Sequence, residues 1–141
     1  MKNFYDKNTT EDVHKSLFEL DFEFEGLTKI ESEILRETVR KVTEDAIYFD
    51  LFLINKEMQP LNILLKLYTN KTTGDVKIKM HDKDGDVHGI ILFKTLKITK
   101  INNLIDFDYD ETETTEKNIN VNIVYDDILY SSDNKEFNKL T

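Results

Sequence analysis

The sequence predicts a mainly β, antiparallel domain flanked by one helix, and three observations carry that prediction. Phe18, Leu20, Phe22 and Phe24 are interleaved with Glu19, Asp21, Glu23 and Glu25, a period of two that a half-buried strand produces and a helix does not. Met80–Ile90 reads MHDKDGDVHGI, a set of turn residues bounded by alternating apolar positions. The segment QPLNILLKLYTN changes the period, spacing Leu61, Leu64, Leu65 and Tyr68 so that they share one face of a helix.

The bulk numbers bound the class. A chain of 141 residues is read as a single domain over 1–141, with 1–15 and 131–141 as loosely held terminal extensions. A hydrophobic content of 39% is enough to bury a core. The net charge of −9 argues against a grip on nucleic acid, which needs clustered Lys and Arg. With no cysteine, disulfide scaffolds, zinc ribbons and thiol catalysis drop out. The start MKNFYDKNTTEDVHKS has no apolar leader, and purely apolar runs stop at four residues, as in Ile90–Phe93. A soluble intracellular protein is therefore expected, with no membrane partner.

Along the chain, a first strand covers Phe18–Glu25. Leu27–Val42 is read as a strand, although its Glu, Leu and Arg content also suits a helix. Ile47–Ile54 (IYFDLFLI) is apolar nearly throughout, as a strand covered on both faces would be. The helix runs Pro60–Asn70, with proline where a first turn tolerates it. Val76, Ile78 and Met80 then alternate with Lys77, Lys79 and His81, and further strands follow at Gly89–Lys97, Ile105–Asp110 and Ile119–Tyr125.

Two hairpins follow from the turn chemistry. Asp84 and Gly85 as the central pair of a type I′ turn set Met80 opposite Gly89, Ile78 opposite Ile91 and Val76 opposite Phe93, so one face is apolar. A slip of one residue would destroy that agreement. The same register places His81 opposite His88, a polar pair at the tip that could hold a transition metal only with a third ligand. A calcium loop starting at Asp82 would need glycine where Val87 stands and glutamate where Phe93 stands, so the run is a turn first. The hairpin's second face carries Ile90 and Leu92 beside Lys77 and Lys79, an apolar patch to be covered by the helix or by another subunit.

The second hairpin pairs Ile105 with Ile123, Phe107 with Val121 and Tyr109 with Ile119. Its reverse face becomes a ladder of Asp106/Asn122, Asp108/Asn120 and Asp110/Asn118. That face is either the ordinary solvated side of a sandwich or a surface that stays wet and repels polyanions. Catalytic constellations are missing from the pattern. Three histidines (His14, His81, His88) are scattered, and there is neither a phosphate loop nor a nucleophile elbow. No catalytic residue, cofactor or metal is assigned, and an enzyme is not expected.

The order of these pieces resembles a known family. TGDVKIKMHDKDGDVHGIILFKTLKITKINNLIDFDYDETETTEKNINVNIVYDDI is similar to the C-terminal half of tail tube proteins from contractile-tailed bacteriophages, with a strand, a D-x-x-G turn, an aliphatic strand and a closing VNIVYDDI-like strand. SLFELDFEFEGL stands where that family's opening strand lies, and QPLNILLKLYTN where its single helix lies. The likeness spans about Ser16–Tyr130. It implies an antiparallel β-sandwich or barrel-like tail tube fold with one flanking helix, related to the inner tube of type VI secretion. It also implies hexameric rings stacked into a conduit for the genome, assembled in the host bacterial cytoplasm and resident in the virion tail. The implied partners are copies of the chain, tail sheath, baseplate and tape-measure proteins, and DNA that passes without specific binding. Asp106, Asp108, Asp110, Asn118, Asn120 and Asn122 would line the lumen, and Lys77, Lys79, Ile90 and Leu92 a subunit interface. The alternatives are a baseplate or tail-completion protein with the same domain, or a small sandwich that binds a sugar or cation through Asp82, Asp84, Asp86 and the two histidines.

Overall fold

A computed structural model describes residues 17–52, 59–105 and 116–140. The alternation that opens the chain folds as strand β1 (Phe18–Phe24), with Leu20, Phe22 and Phe24 buried. After it come helix α1 (Lys29–Thr38), β2 (Val39–Val42), β3 (Ala46–Phe52) and helix α2 (Gln59–Thr69). The second half is strand: β4 (Thr73–His81), β5 (Val87–Asn102), β6 (Glu116–Val124), β7 (Asp127–Ser131) and β8 (Asn138–Lys139). All pairings among the described residues are antiparallel within one sheet of order β1-β4-β5-β6-β3-β2, and β7 pairs with β5 on one side and β8 on the other. The fold is mainly β as the alternation implied, but the sheet is open and two helices accompany it.

The strand reading of Leu27–Val42 is corrected over its first part. Residues 29–38 are helical because Thr28 and Glu31 form a capping box. The Glu31 N–H donates to Thr28 Oγ1 at 3.1 Å and the Thr28 N–H to Glu31 Oε1 at 2.9 Å. These bonds satisfy amides that a helix start leaves without partners. Leu35 anchors α1 in the core at 0% exposure, and only Val39–Val42 is strand. The α2 helix stands where the period placed it, but rotated. Ile63, Leu64 and Leu67 are its buried residues, whereas Tyr68 is 40% exposed.

The first hairpin has the expected register, with Met80 opposite Gly89, Ile78 opposite Ile91 and Val76 opposite Phe93. Its turn differs. Gly85 N–H donates to the Asp82 carbonyl at 3.0 Å and Asp82 N–H to the Asp86 carbonyl at 3.0 Å. Gly85 has φ 90° while Asp84 is not among the residues of positive φ. That is a three-residue loop with a glycine in the left-handed region, in place of a two-residue type I′ turn. A register shift after Met80 therefore sets His81 against Val87, and the expected His81–His88 pairing does not form.

The second hairpin is corrected more deeply. β5 runs on to Asn102 and pairs Ile98 with Ile123, Lys100 with Asn122, Ile101 with Val121 and Asn102 with Asn120. On its other side β6 pairs with β3, setting Val121 against Ile47 and Ile119 against Phe49. The places assigned to Ile105 and Phe107, and to Asp106 and Asp108 in the reverse ladder, are thus filled by β5. Ile105 itself is 88% exposed, and residues 106–110 lie outside the described residues. The β5 pairing won because β5 continues without interruption and buries Ile98 on the core side, a burial that offsets the longer loop it leaves before β6.

The strand β5 changes partner midway. Its first half pairs with β7, from Ile90 with Ser131 to Lys94 with Asp127, and its last residues pair with β6. The switch falls at Thr95, whose φ is 57°, opposite a register shift between Gly74 and Val76 in β4. The bend wraps the sheet around its apolar side. There Val76, Phe93, Leu96, Ile119, Val121, Ile47, Phe49 and the β1 residues meet Leu35 of α1 and Ile63, Leu64 and Leu67 of α2. Ile47, Phe49 and Leu51 face this core while Tyr48 and Asp50 are half-buried, so β3 is fully covered on one face only, and 53–54 lie outside the described residues. The segment after Tyr130 carries a turn in which Asp133 accepts from the N–H groups of Lys135 and Glu136, then β8.

Candidate assembly surface

A sheet that ends in unpaired strands offers its edges and its two faces to partners. The face opposite the core begins with the β1 carboxylates, which cross-strand pairing sets against cations. Glu19 stands opposite Lys79 and Asp21 opposite Lys77. Lys79 Nζ lies 2.7 Å from Asp21, Arg36 of α1 reaches Asp21 at 3.1 Å and Glu19 at 3.4 Å, and Lys77 lies 4.0 Å from Glu23. The acidic alternation is therefore a mixed-charge ladder, neutralised in part by groups that the sequence pattern alone did not pair with it.

Next to that ladder the four residues expected at a subunit interface do come together. Lys77 pairs with Leu92 and Lys79 with Ile90. Ile90 is 3% and Leu92 7% exposed within the single chain, yet neither joins the core cluster that holds α2. On their side of the sheet lie Leu129 and Ser131 of β7. The chain then turns at Asp133 and brings the Phe137 ring to 5.9 Å from Lys77 Nζ, two strands away from β7. Of the C-terminal segment, Phe137 reaches this face at Lys77, and α2 lies on the other face.

The amide face is the other predicted surface. Asn118, Asn120 and Asn122 of β6 share one side, with Asn118 and Asn122 exposed and Asn120 half-buried. Asn102 Nδ2 donates to Asn122 Oδ1 at 2.9 Å, and Asn118 pairs across to Asp50. Cross-strand neighbours on this side add cations: Lys100 opposite Asn122 and Lys97 opposite Val124. At the sheet's end Arg40 and Lys41 of β2 lie 5.4 Å and 5.3 Å from the centre of the Tyr48 ring, and Arg40 Nε is 3.0 Å from Asp50. Among the described residues this face is amide and cationic; Asp106, Asp108 and Asp110 lie outside them.

The hairpin tip is held by its own groups. Asp82 Oδ1 accepts from the N–H groups of Asp84 and Asp86, each at 2.9 Å, and Oδ2 lies 2.6 Å from His88 Nε2. The His88 imidazole and these amides hold the Asp82 carboxyl below the usual carboxylate range. His81 places Nε2 3.2 Å from Glu19 and Nδ1 3.2 Å from the Gly85 carbonyl. Each histidine thus has its own carboxylate, and the two rings do not converge on one point.

Of the three outer strands, β1 is shielded, because the Phe22 N–H donates to Ser32 Oγ of α1 at 3.1 Å. Among the described residues β2 pairs with β3 alone. β7 is closed by only two cross-strand pairs with β8. Sequence reasoning missed α1 and this β7–β8 edge. The Thr28-x-x-Glu31 spacing could have signalled α1, but nothing in the polar tail marks a two-residue strand.

No family model and no curated protein sequence matches the chain. Solved structures do. A crystal structure of an Hcp protein superposes with a TM-score of 0.52 at 12% identity, covering 86% of this chain and 97% of the other. A chain of the six-fold symmetrised baseplate of the anti-feeding prophage gives 0.53 at 9% identity, covering 89% and 98%. The Hcp1 protein of E. coli EAEC 042 gives 0.52 at 13% identity, covering 89% and 96%. Coverage near the whole of each of these proteins means that this chain shares their fold over most of its length, the fold that the tail tube resemblance implied.

Proposed function

We propose that the chain is a structural subunit of a contractile tail tube. Copies close into hexameric rings, and the rings stack into a hollow conduit through which the genome passes. The observation that carries this reading is an open sheet of the tube-protein fold with edges left to a neighbour: among the described residues β2 pairs on one side only and β7 is barely closed. A head-to-tail contact between two unlike edges generates a ring when the rotation closes. The polar face of Asn118, Asn120 and Asn122 faces the bore, and Asp106, Asp108 and Asp110, expected with it, lie outside the described residues. Amides there keep the wall wet, and Asp50 beside Arg40 offsets part of the cationic charge that the phosphate backbone would meet. The role is architectural, with sheath, baseplate and tape-measure proteins as partners in the tail. Native mass spectrometry of the purified chain tests it. The reading expects a species of six times the 16.7 kDa chain mass, and monomer alone at every concentration counts against it.

A baseplate subunit that starts the tube is the second reading, favoured by the likeness to the baseplate chain. Rings that form but never stack on one another, even in excess, select it.

A further inference from the structure

The segment 132–140 has a footing that is thin for what it hides. Two cross-strand pairs, Leu129 with Lys139 and Tyr130 with Asn138, attach it to β7. One further amide, Leu140 N–H, donates to the Ile128 carbonyl at 3.0 Å. Lys139 Nζ, itself exposed, lies 3.6 Å from half-buried Asp127, and Phe137 rests near Lys77. A two-residue strand with exposed ion pairs opens at little cost. It occupies the outer edge of β7, whose half-buried Leu129 stands opposite buried Leu92.

The other one-sided strand is the natural replacement. β2 reads VRKV and carries Arg40 and Lys41, while β7 begins with Asp127 and is preceded by Asp126. Lys139 of the covering segment already occupies Asp127, the place that a β2 lysine from another copy would take. We infer that segment 132–140 is a removable cover that mimics β2, and that on assembly the β2 edge of a second copy displaces it from β7. The inference rests on the tube reading and adds which edges join and what holds them apart beforehand. An edge that is hidden until a neighbour arrives also keeps the free subunit from pairing at random.

The chain has no cysteine, so Leu129→Cys with Lys139→Cys installs one switchable lock on a directly opposed pair. Sedimentation velocity follows ring formation by the oxidised, reduced and wild-type proteins. The cover predicts that the oxidised form stays monomeric while the reduced form, which lacks the Lys139–Asp127 pair, assembles at least as readily as wild type. Phe137→Ala, which leaves both edges intact, lowers the concentration at which rings form by roughly two- to fivefold, the equivalent of one exposed cation–π contact. Lys41→Glu blocks assembly, and adding Asp127→Lys restores it. Equal assembly of the oxidised and reduced proteins overturns the cover while leaving the tube reading intact, and unhindered assembly of Lys41→Glu overturns β2 as the displacing strand. If neither wild type nor Phe137→Ala assembles at any concentration, the tube reading fails and takes the cover with it.

Discussion

The Asp75 carboxylate accepts a hydrogen bond from the Thr95 N–H at 3.1 Å, and its second oxygen lies 3.1 Å from Lys94 Nζ. This contact sits at the bend where β5 leaves β7 for β6, with Thr95 at φ 57°. A β-branched residue in the left-handed region is strained, so the carboxylate stabilises a conformation the backbone alone would avoid. Asp75→Ala should lower unfolding stability by about 1–2 kcal/mol, whereas Asp75→Asn keeps the acceptor and should cost less than about 0.5 kcal/mol, the value of an exposed ion pair. Thr95→Gly should raise stability by about 0.5–1 kcal/mol, strain relief exceeding the added chain entropy. Denaturant titrations of the three variants check the set.

The tip of the first hairpin makes a second prediction. Gly85 has φ 90° with open space where a side-chain methyl would stand, so a substitution there is strained without a clash. Gly85→Val should cost about 1–2 kcal/mol and Gly85→Asn distinctly less, since asparagine tolerates the left-handed region. Gly74 is the contrasting case. A Cβ there would lie 2.6 Å from the Glu23 carbonyl oxygen and 2.7 Å from the Phe24 backbone, so Gly74→Ala should force β1 and β4 apart. Chemical-shift changes confined to the tip for Gly85→Val, and spread along β1 for Gly74→Ala, distinguish the two mechanisms.

The helix α1 depends on its first turn and on one buried side chain. Thr28→Ala removes the cap and should cost about 1 kcal/mol. Leu35→Ala leaves a cavity in a fully buried position and should cost about 2–5 kcal/mol. Thermal unfolding at neutral pH ranks them.

Acid sensitivity at the tip has a fixed sign. The Asp82 carboxyl is held below its ordinary range by His88 and by the Asp86 and Asp84 amides. A depressed carboxyl contributes stability that is whole above the unfolded-state value and is lost as the pH falls through the lower folded-state value. Asp82→Asn should therefore be less stable than wild type at pH 7. The gap should close once the pH drops below the usual carboxylate range. A constant gap down to strongly acid pH would mean that the carboxylate charge contributes nothing.

What the sequence disclosed follows from where two independent signals agreed. Turn residues at Asp82–Asp86 and apolar alternation on both sides gave the β4–β5 register from Val76 to Met80, though not the tip, where His81 meets Val87, and the Phe18–Phe24 alternation gave β1. Where only apolar matching was available, it misled. Ile105, Phe107 and Tyr109 offered Ile123, Val121 and Ile119 a pairing as apolar as the one β5 makes, and nothing in the letters says that β5 continues to Asn102. The α2 face was off by one residue position because Leu61, Leu64, Leu65 and Tyr68 form a stripe as regular as the buried Ile63, Leu64 and Leu67. The interface patch at Ile90 and Leu92 was legible as an apolar face needing cover. That the polar tail reaches this face depends on one aromatic, Phe137, whose contact with Lys77 no period foretells.

Cryo-electron microscopy of the purified protein, imaged at concentrations where it self-associates, tests the central claim most directly. The account predicts closed rings of six copies whose sheets run from one subunit into the next, stacked into hollow filaments. A particle in which each copy remains a separate globule with β2 and β7 facing solvent would contradict it.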